Sequence, residues 1–431
     1  MKNQRTQLGQ IPRHAASGRS GASVLPWSHA AVFLLLNISV GLETPVLSLM
    51  LLARGATLET LPLVVGVTLV ATAICEVPSG IAADAWGRRR LFCWAMALQI
   101  AAHLVLLLPA SIAVVAASSA LRGLALAART GTLEVIEIDR VVARHVDSAG
   151  RCAALDALNG RLALLESVGC GLGALAGGLL ATLDARYVLL IWCIVLASAC
   201  ALVGALLLYP PEERGQAAMH QSIAQVLADM RQVLAVSGDV RLVLVLSASA
   251  GVIMLAVETY WQISFQQLAG AGSEWMLGPI NCLGMVAAAA GSTAAMRAGA
   301  ALSQALGRGG RCRLYLLLHA AAALCLLVLG TAPGIGIFIA GYALYYVCIA
   351  ARSVIEQTVL HNAVPSRERA SMASIQSLAL RGGGALASAA GAGVVAAFGI
   401  SGTWPVFAAL ALLLELMAFR GKAGGRKKRT V

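Results

Sequence analysis

The chain has 431 residues, of which 59% are hydrophobic and 12% charged, with a formal net charge of +12. Soluble domains carry about a quarter charged residues, so an ordinary soluble surface is excluded. The positive balance does not point to nucleic acid, because the basic residues follow the alternation of apolar segments described next.

Residues 1–27 are polar and rich in Arg, Ser and Gly, and read as a disordered cytoplasmic tail. Twelve apolar segments follow near 28–53, 60–83, 91–108, 111–138, 157–183, 187–209, 241–268, 275–299, 313–331, 334–360, 371–398 and 403–420. Each is long enough to cross a bilayer as a helix, at about 18 residues or more. Lipid offers the backbone no partner, so such segments must satisfy their own hydrogen bonds. The dyad alternation of a membrane barrel is absent. The first segment has the length of a full span and no persuasive cleavage site, so it reads as a retained helix.

The spans divide into an N-terminal six-helix bundle (28–209) and a C-terminal one (241–420). The connection 210–240 opens with Pro210-Pro211-Glu212-Glu213-Arg214. Ile223, Val226, Leu227, Met230, Val233 and Leu234 then recur at helical spacing, as in an interfacial amphipathic helix. Residues 421–431 form a basic cytoplasmic tail. With twelve spans, 25 of the 32 Lys and Arg fall on one side, five lie within spans, and only Arg54 and Arg186 fall on the other side. That asymmetry implies an inner (plasma) membrane protein with both termini cytoplasmic. The ten cysteines are scattered without a C-x-x-C pair, which argues for packing rather than metal or disulfide roles. No cofactor or metal is expected.

Internal repetition supports the division. A shift of 220 carries Asp84-Ala85-Trp86-Gly87-Arg88 onto Gln304-Ala305-Leu306-Gly307-Arg308. The same shift relates Leu155, Leu158 and Arg161 to Ile375, Leu378 and Arg381. Ala128-Arg129-Thr130 maps to Ala351-Arg352-Ser353, and Leu42-Glu43-Thr44 to Val257-Glu258-Thr259. Four matches in order, with slowly drifting offset, indicate two parallel six-helix repeats. Transporters built this way bind substrate near the midplane between the repeats.

Gly80, Asp84 and Gly87-Arg88-Arg89-Arg90 form the pattern G-x-x-x-D-x-x-G-R-R-R. It resembles the signature loop between helices 2 and 3 of the major facilitator superfamily. Glu76-Val77-Pro78-Ser79-Gly80 is similar to the variant found in bacterial members classed as drug exporters. Gly123-Leu124, Gly131, Leu133-Glu134 and Asp139 look like helix 4 of that group, and Ser371 to Ile375 like the opening of its helix 11. The resemblance implies an all-α membrane fold with alternating access. It also implies that Asp84 and Arg88 latch the halves in the outward-facing state, with Asp139 as a further partner. Three positions depart from the pattern: Ala85 replaces a basic residue, Ser119 stands where helix 4 carries arginine, and Ala174 where helix 5 carries proline. The glycines of span 5, Gly169 to Gly178, read as helix contacts.

Glu43 and Glu258 occupy matching depths on the first span of each half. A carboxylate there is costly unless it faces a cavity or partner. Both are candidates for exchanging a proton against a cationic substrate; a structural ion pair or a neutral hydrogen-bonded acid is the alternative. Tyr260 and Trp261 could offer aromatic faces to a lipophilic cation, or could simply pack. Arg122, Arg129, Arg161, Arg352 and Arg381 are intramembrane, with Glu134, Glu137, Glu166 and Glu356 as expected partners; Arg122 and Glu134 are included among the substrate or proton candidates. Arg352 and Glu356 have the spacing for direct pairing. His103 and His319 read as ordinary hydrogen-bonded helix contacts.

These features identify a secondary transporter and not an enzyme. The expected activity is proton-coupled export of a small amphipathic or cationic compound by a monomer in the bilayer. Import of a metabolite is the alternative, and a non-transporting sensor a more distant one.

Overall fold

A computed structural model describes residues 25–144, 148–210, 238–307, 309–363 and 369–427. The N-terminal tail up to residue 24, the linker helix, Arg308 and the last four residues lie outside the described residues. Among the described residues there is no strand. Among the described residues nine helices are long and apolar enough to cross a membrane, and a bent pair makes a tenth. The last, Arg369–Lys427, reverses at Gly399 (φ 66°), where a Cβ on Gly391 would meet the Phe407 ring across the hairpin. Dividing it there, and adding Arg88–Val105 with its three leading arginines, gives twelve spans.

Span 1 is broken. Trp27–Glu43 and Leu47–Ala53 are joined by the 3-10 turn Thr44–Val46. Pro45 supplies no N–H and cannot continue an α-helix, so the break falls directly after Glu43. Span 2, Leu61–Trp86, bends by 50° at Pro78. Span 3 is Arg88–Val105. Span 4 is interrupted between Ile112–Arg129 and Leu133–Arg144, where Gly131 takes φ 70°. Span 5 is Ser148–Ala181 and span 6 is Val188–Leu208. Span 5 begins nine residues before its expected start. The segment 148–156 carries Arg151 and Asp156, which hydropathy places outside the bilayer, but helical hydrogen bonding continues through it.

The second half contains Gly238–Ala269, Glu274–Ala305, Gly310–Thr331 and Ile335–Ala363 as spans 7 to 10, followed by spans 11 and 12. Gly87 (φ 92°) ends span 2 and Gly307 (φ 72°) follows span 8, at equivalent places in the two halves. The glycine that survives in the repeat is therefore the one whose backbone lies where a Cβ is disfavoured.

One face carries Arg88–Arg90, Arg140, Arg144, Arg151 and Arg313, and is called the basic face below. On the opposite face Asp184 accepts from the amides of Arg186, Val188 and Leu189 at 2.9, 2.6 and 3.4 Å, starting span 6. These donors, Arg186 first, hold the Asp184 carboxyl below its ordinary value.

Spans 1 and 5 pack closely: a Cβ on Gly173 or Gly177 would run into the backbone of Ile38 to Leu42. The two halves meet chiefly through spans 2 and 11 and through spans 5 and 8. Toward the opposite face Ser48 donates its amide to Gln262 at 2.7 Å, and Gln262 donates to the Thr44 carbonyl at 2.9 Å. Ser388 donates to the Pro62 carbonyl. Gly178 and Gly278 face each other backbone to backbone, with no room for a Cβ on either. Gly278→Val should force the halves apart on this face. In a background without native cysteines, labelling of a Ser388→Cys probe by an impermeant thiol reagent should rise several-fold; unchanged labelling would show that the seam tolerates the added bulk.

Candidate functional site

Glu43 is drawn into a compact polar cluster in the first half. Its Oε1 accepts from Arg122 Nη2 of span 4 at 2.9 Å, and its Oε2 lies 2.8 Å from His103 Nε2 of span 3. The other ring nitrogen of His103 donates to the Gln99 carbonyl at 2.8 Å. Glu43 is only 7% exposed and His103 is fully buried, so the cluster is shielded from bulk water. A cavity of about 180 Å³ adjoins it, lined by Ser39, Thr68, Gln99, Arg122 and Arg129 as well as Glu43. Arg122 was expected to pair with Glu134, Glu137, Glu166 or Glu356; it pairs with Glu43. The break at Pro45 allows the carboxylate to end a helix facing spans 3 and 4, and a buried guanidinium requires an acid within reach.

Glu258 occupies the equivalent place in the second half but has a different environment. Its Oε1 accepts from Tyr346 Oη at 2.8 Å, and among the described residues no basic side chain pairs with it. It remains half-buried rather than buried. Its backbone carbonyl accepts from Ser48 Oγ at 3.4 Å, which sets this acid against span 1 of the other half. Tyr342 lies 4.9 Å from Tyr346, ring to ring, and completes an aromatic wall beside it.

For Tyr260 and Trp261 the structure fits the packing alternative. Both are fully buried, Tyr260 edge-on to Trp404 at 6.5 Å and Trp261 against Tyr342 at 4.7 Å. They are core rather than an open aromatic face. The aromatic beside the acid is Tyr346, from span 10, which spacing along span 7 cannot indicate.

The remaining charges are distributed over several pairs. Arg352 donates to Glu356 at 2.6 Å, as the spacing predicts, and Ser247 donates to the same carboxylate. Glu137 is taken by His29 and Arg140, both at 2.7 Å, instead of an intramembrane arginine. Arg381 reaches Glu76 at 3.4 Å and Ser377 donates to Glu76 at 3.2 Å, which ties span 11 to span 2 across the halves. Glu134 is exposed and, with Glu166 and Arg129, lines a second cavity of about 150 Å³. Arg161 is exposed.

At the basic face, Asp84 lies in the last turn of span 2, ahead of Gly87. Arg88 donates to Asp139 at 2.5 Å, a contact within the first half. Gly80 is helical with open space around it. Arg89 donates to the Leu206 carbonyl at 2.7 Å and so caps the end of span 6. Gln304 is the penultimate residue of span 8.

The sequence profile described as Major Facilitator Superfamily matches residues 30–351. The chain belongs to this superfamily. Among curated protein sequences none matches. The fold of the superfamily is evident in solved structures. The nucleoside transporter NupG is 14% identical in its D323A form, with a TM-score of 0.74 over 91% of this chain and 98% of that chain. A bacterial homologue of the human lysosomal transporter Spinster, inward-facing and unoccupied, gives 14%, 0.65, 92% and 97%. A POT family transporter in complex with 5-aminolevulinic acid gives 14%, 0.64, 92% and 95%. At this identity the likeness concerns the fold. As a superfamily member the chain is a multi-pass membrane transporter and not an enzyme.

A buried ion pair broken on one side leaves an uncompensated charge, at a cost of about 3–5 kcal/mol. Arg122→Met should therefore destabilise the protein by that order in detergent thermal unfolding. Arg122→Met combined with Glu43→Met should recover much of the loss. Additive losses would show that the two side chains act independently.

Proposed function

We propose that this transporter exchanges protons for a small, amphipathic, cationic organic compound and exports it across the plasma membrane. The observation that carries this reading is Glu258. It is a carboxyl at membrane depth, held by one tyrosine hydroxyl and by no basic residue among those described. Such a group is tolerated when it binds a proton or meets a cation. The two occupants exclude each other, and that competition is sufficient for obligatory exchange. Tyr342 and Tyr346 supply aromatic surface for the apolar part of a lipophilic cation.

The charge distribution supports a cytoplasmic basic face, so that the seam between Gly178 and Gly278 lies outside. Glu76-Val77-Pro78-Ser79-Gly80 supports membership of the drug-efflux-like subgroup. Asp84, Arg88 and Asp139 act as the latch on the basic face, with Gly87 and, in the second copy, Gly307 after Gln304 at the paired turns; Arg308 of that copy lies outside the described residues. A monomer suffices, since both acids lie within one chain.

The test is a preset pH gradient in proteoliposomes, with ethidium or tetraphenylphosphonium as probe. Addition of probe should collapse the gradient, and Glu258→Gln should abolish the collapse while leaving insertion and folding intact. Unaltered exchange by Glu258→Gln would overturn the assignment, and co-transport of probe with protons would replace export by import. For the latch, Asp84→Asn should change thiol accessibility at the basic face at least several-fold; no change would reduce the loop to a topological anchor.

A further inference from the structure

A hydrogen-bond inventory at His103 leads to a second proton site. The Gln99 carbonyl can only accept, so a hydrogen bond at that contact places a hydrogen on His103 Nδ1. In a neutral imidazole Nε2 is then a bare acceptor. Yet Nε2 lies 2.8 Å from Glu43 Oε2, and an ionised carboxylate is acceptor only. Two acceptors cannot share that contact. With both 2.8 Å contacts made as hydrogen bonds, one additional proton lies between them, either on His103 Nε2 or on Glu43 Oε2; a neutral ring beside an ionised Glu43 keeps only one of the two.

We propose that the Glu43–His103 pair binds and releases one proton during transport, as a second proton site in the first half besides Glu258. This rests on the proton-coupled reading above and deepens it. When the proton leaves for the adjoining cavity, the neutral ring keeps one of its two bonds; with the hydrogen on Nδ1, two acceptors are left 2.8 Å apart and the contact between spans 1 and 3 is weakened. Glu43 keeps its bond to Arg122, so the carboxylate is not abandoned. The charge change at one pair is thereby converted into freedom of span 1 at its break.

The surroundings favour release. Span 4 directs Arg122 at Glu43 and places Arg129 on the same cavity wall. The other elements around the cavity add only neutral polar groups: Thr68 from span 2, Gln99 from span 3, and Ser39, itself bonded to Ser198 of span 6 at 2.7 Å. Two guanidinium groups near one carboxylate oppose an extra positive charge, so the proton is held by geometry and against the local field. Arg129 lines both this cavity and the second one, whose walls include the exposed Glu134 and Glu166.

The second half provides a contrast. His319 matches His103 at a shift of 216, but its Nε2 meets Ser249 Oγ at 2.9 Å, and no acid pairs with it among the described residues. A hydroxyl both donates and accepts, so that contact requires no extra proton. The proton site belongs to one half.

The test starts with purified full-length protein carrying 15N-labelled histidine, with His103 assigned through His103→Gln, or through His103→Asn if the first variant folds poorly. Between about pH 5 and 8, where histidine titrates, one of two signatures is expected. Either the His103 ring is doubly protonated at the low end, or a protonated-carboxyl infrared band is present; each should vanish in Glu43→Gln. A singly protonated ring beside an ionised Glu43 across the whole range would overturn the proposal. In proteoliposomes with tetraphenylphosphonium, His103→Gln should lower the protons moved per cation by about one. An unchanged ratio would also overturn it. If wild type moves no protons against the cation, the exchange reading fails, and the spectroscopic result still decides whether the pair holds a proton.

Discussion

An acid inside a membrane requires a cation, a donor or a proton, and the arrangement of this chain follows from how that demand is met at two equivalent places. Glu43 is satisfied by Arg122 and His103, so three spans of the first half are drawn to one point. Among the described residues Glu258 is held by Tyr346 and by no basic side chain, and it leans on span 1 through its backbone. The first arrangement binds a bundle together. The second leaves a vacancy of charge at the boundary between bundles. A duplicated ancestor would present both acids alike; here their surroundings have diverged.

Much of the architecture was legible in the sequence because the bilayer imposes it. Apolar segments long enough to span must be helices, and the arginines between them report the alternation of sides. The repeat was legible because turns need glycine: Gly87 and Gly307 kept their positions when the neighbouring acid was lost. Glu43 and Glu258 stood out because carboxyls are rare at that depth. Local pairing was also legible, as Arg352 and Glu356 show, since four residues on a helix bring side chains to one face.

What escaped was long-range partnership. Arg122 and Glu43 are separated by 79 positions, and His103 and Glu43 by 60. No periodicity joins such residues, and a single histidine in an apolar helix gives no local sign that it faces an acid. Tyr260 and Trp261 stayed open between two readings for the converse reason. Neighbours in sequence fan out around a helix, so proximity to Glu258 along the chain said little about sharing its surroundings. A matching of unpaired charges between spans, acid against base at equal depth, is the signal that would have proposed Glu43 with Arg122.

The glycine seam between spans 5 and 8 has a kinetic meaning. Gly178 and Gly278 touch through main-chain atoms, so no side chain is interleaved between the two helices at that point. Interlocked side chains must leave one set of rotamers and find another whenever two helices part, and this adds friction to the motion. Bare backbone surfaces can slide and separate without that search. The boundary between the halves thus combines a bare backbone contact at spans 5 and 8 with side-chain contacts elsewhere along it, Gln262 against span 1 and Glu76 against span 11.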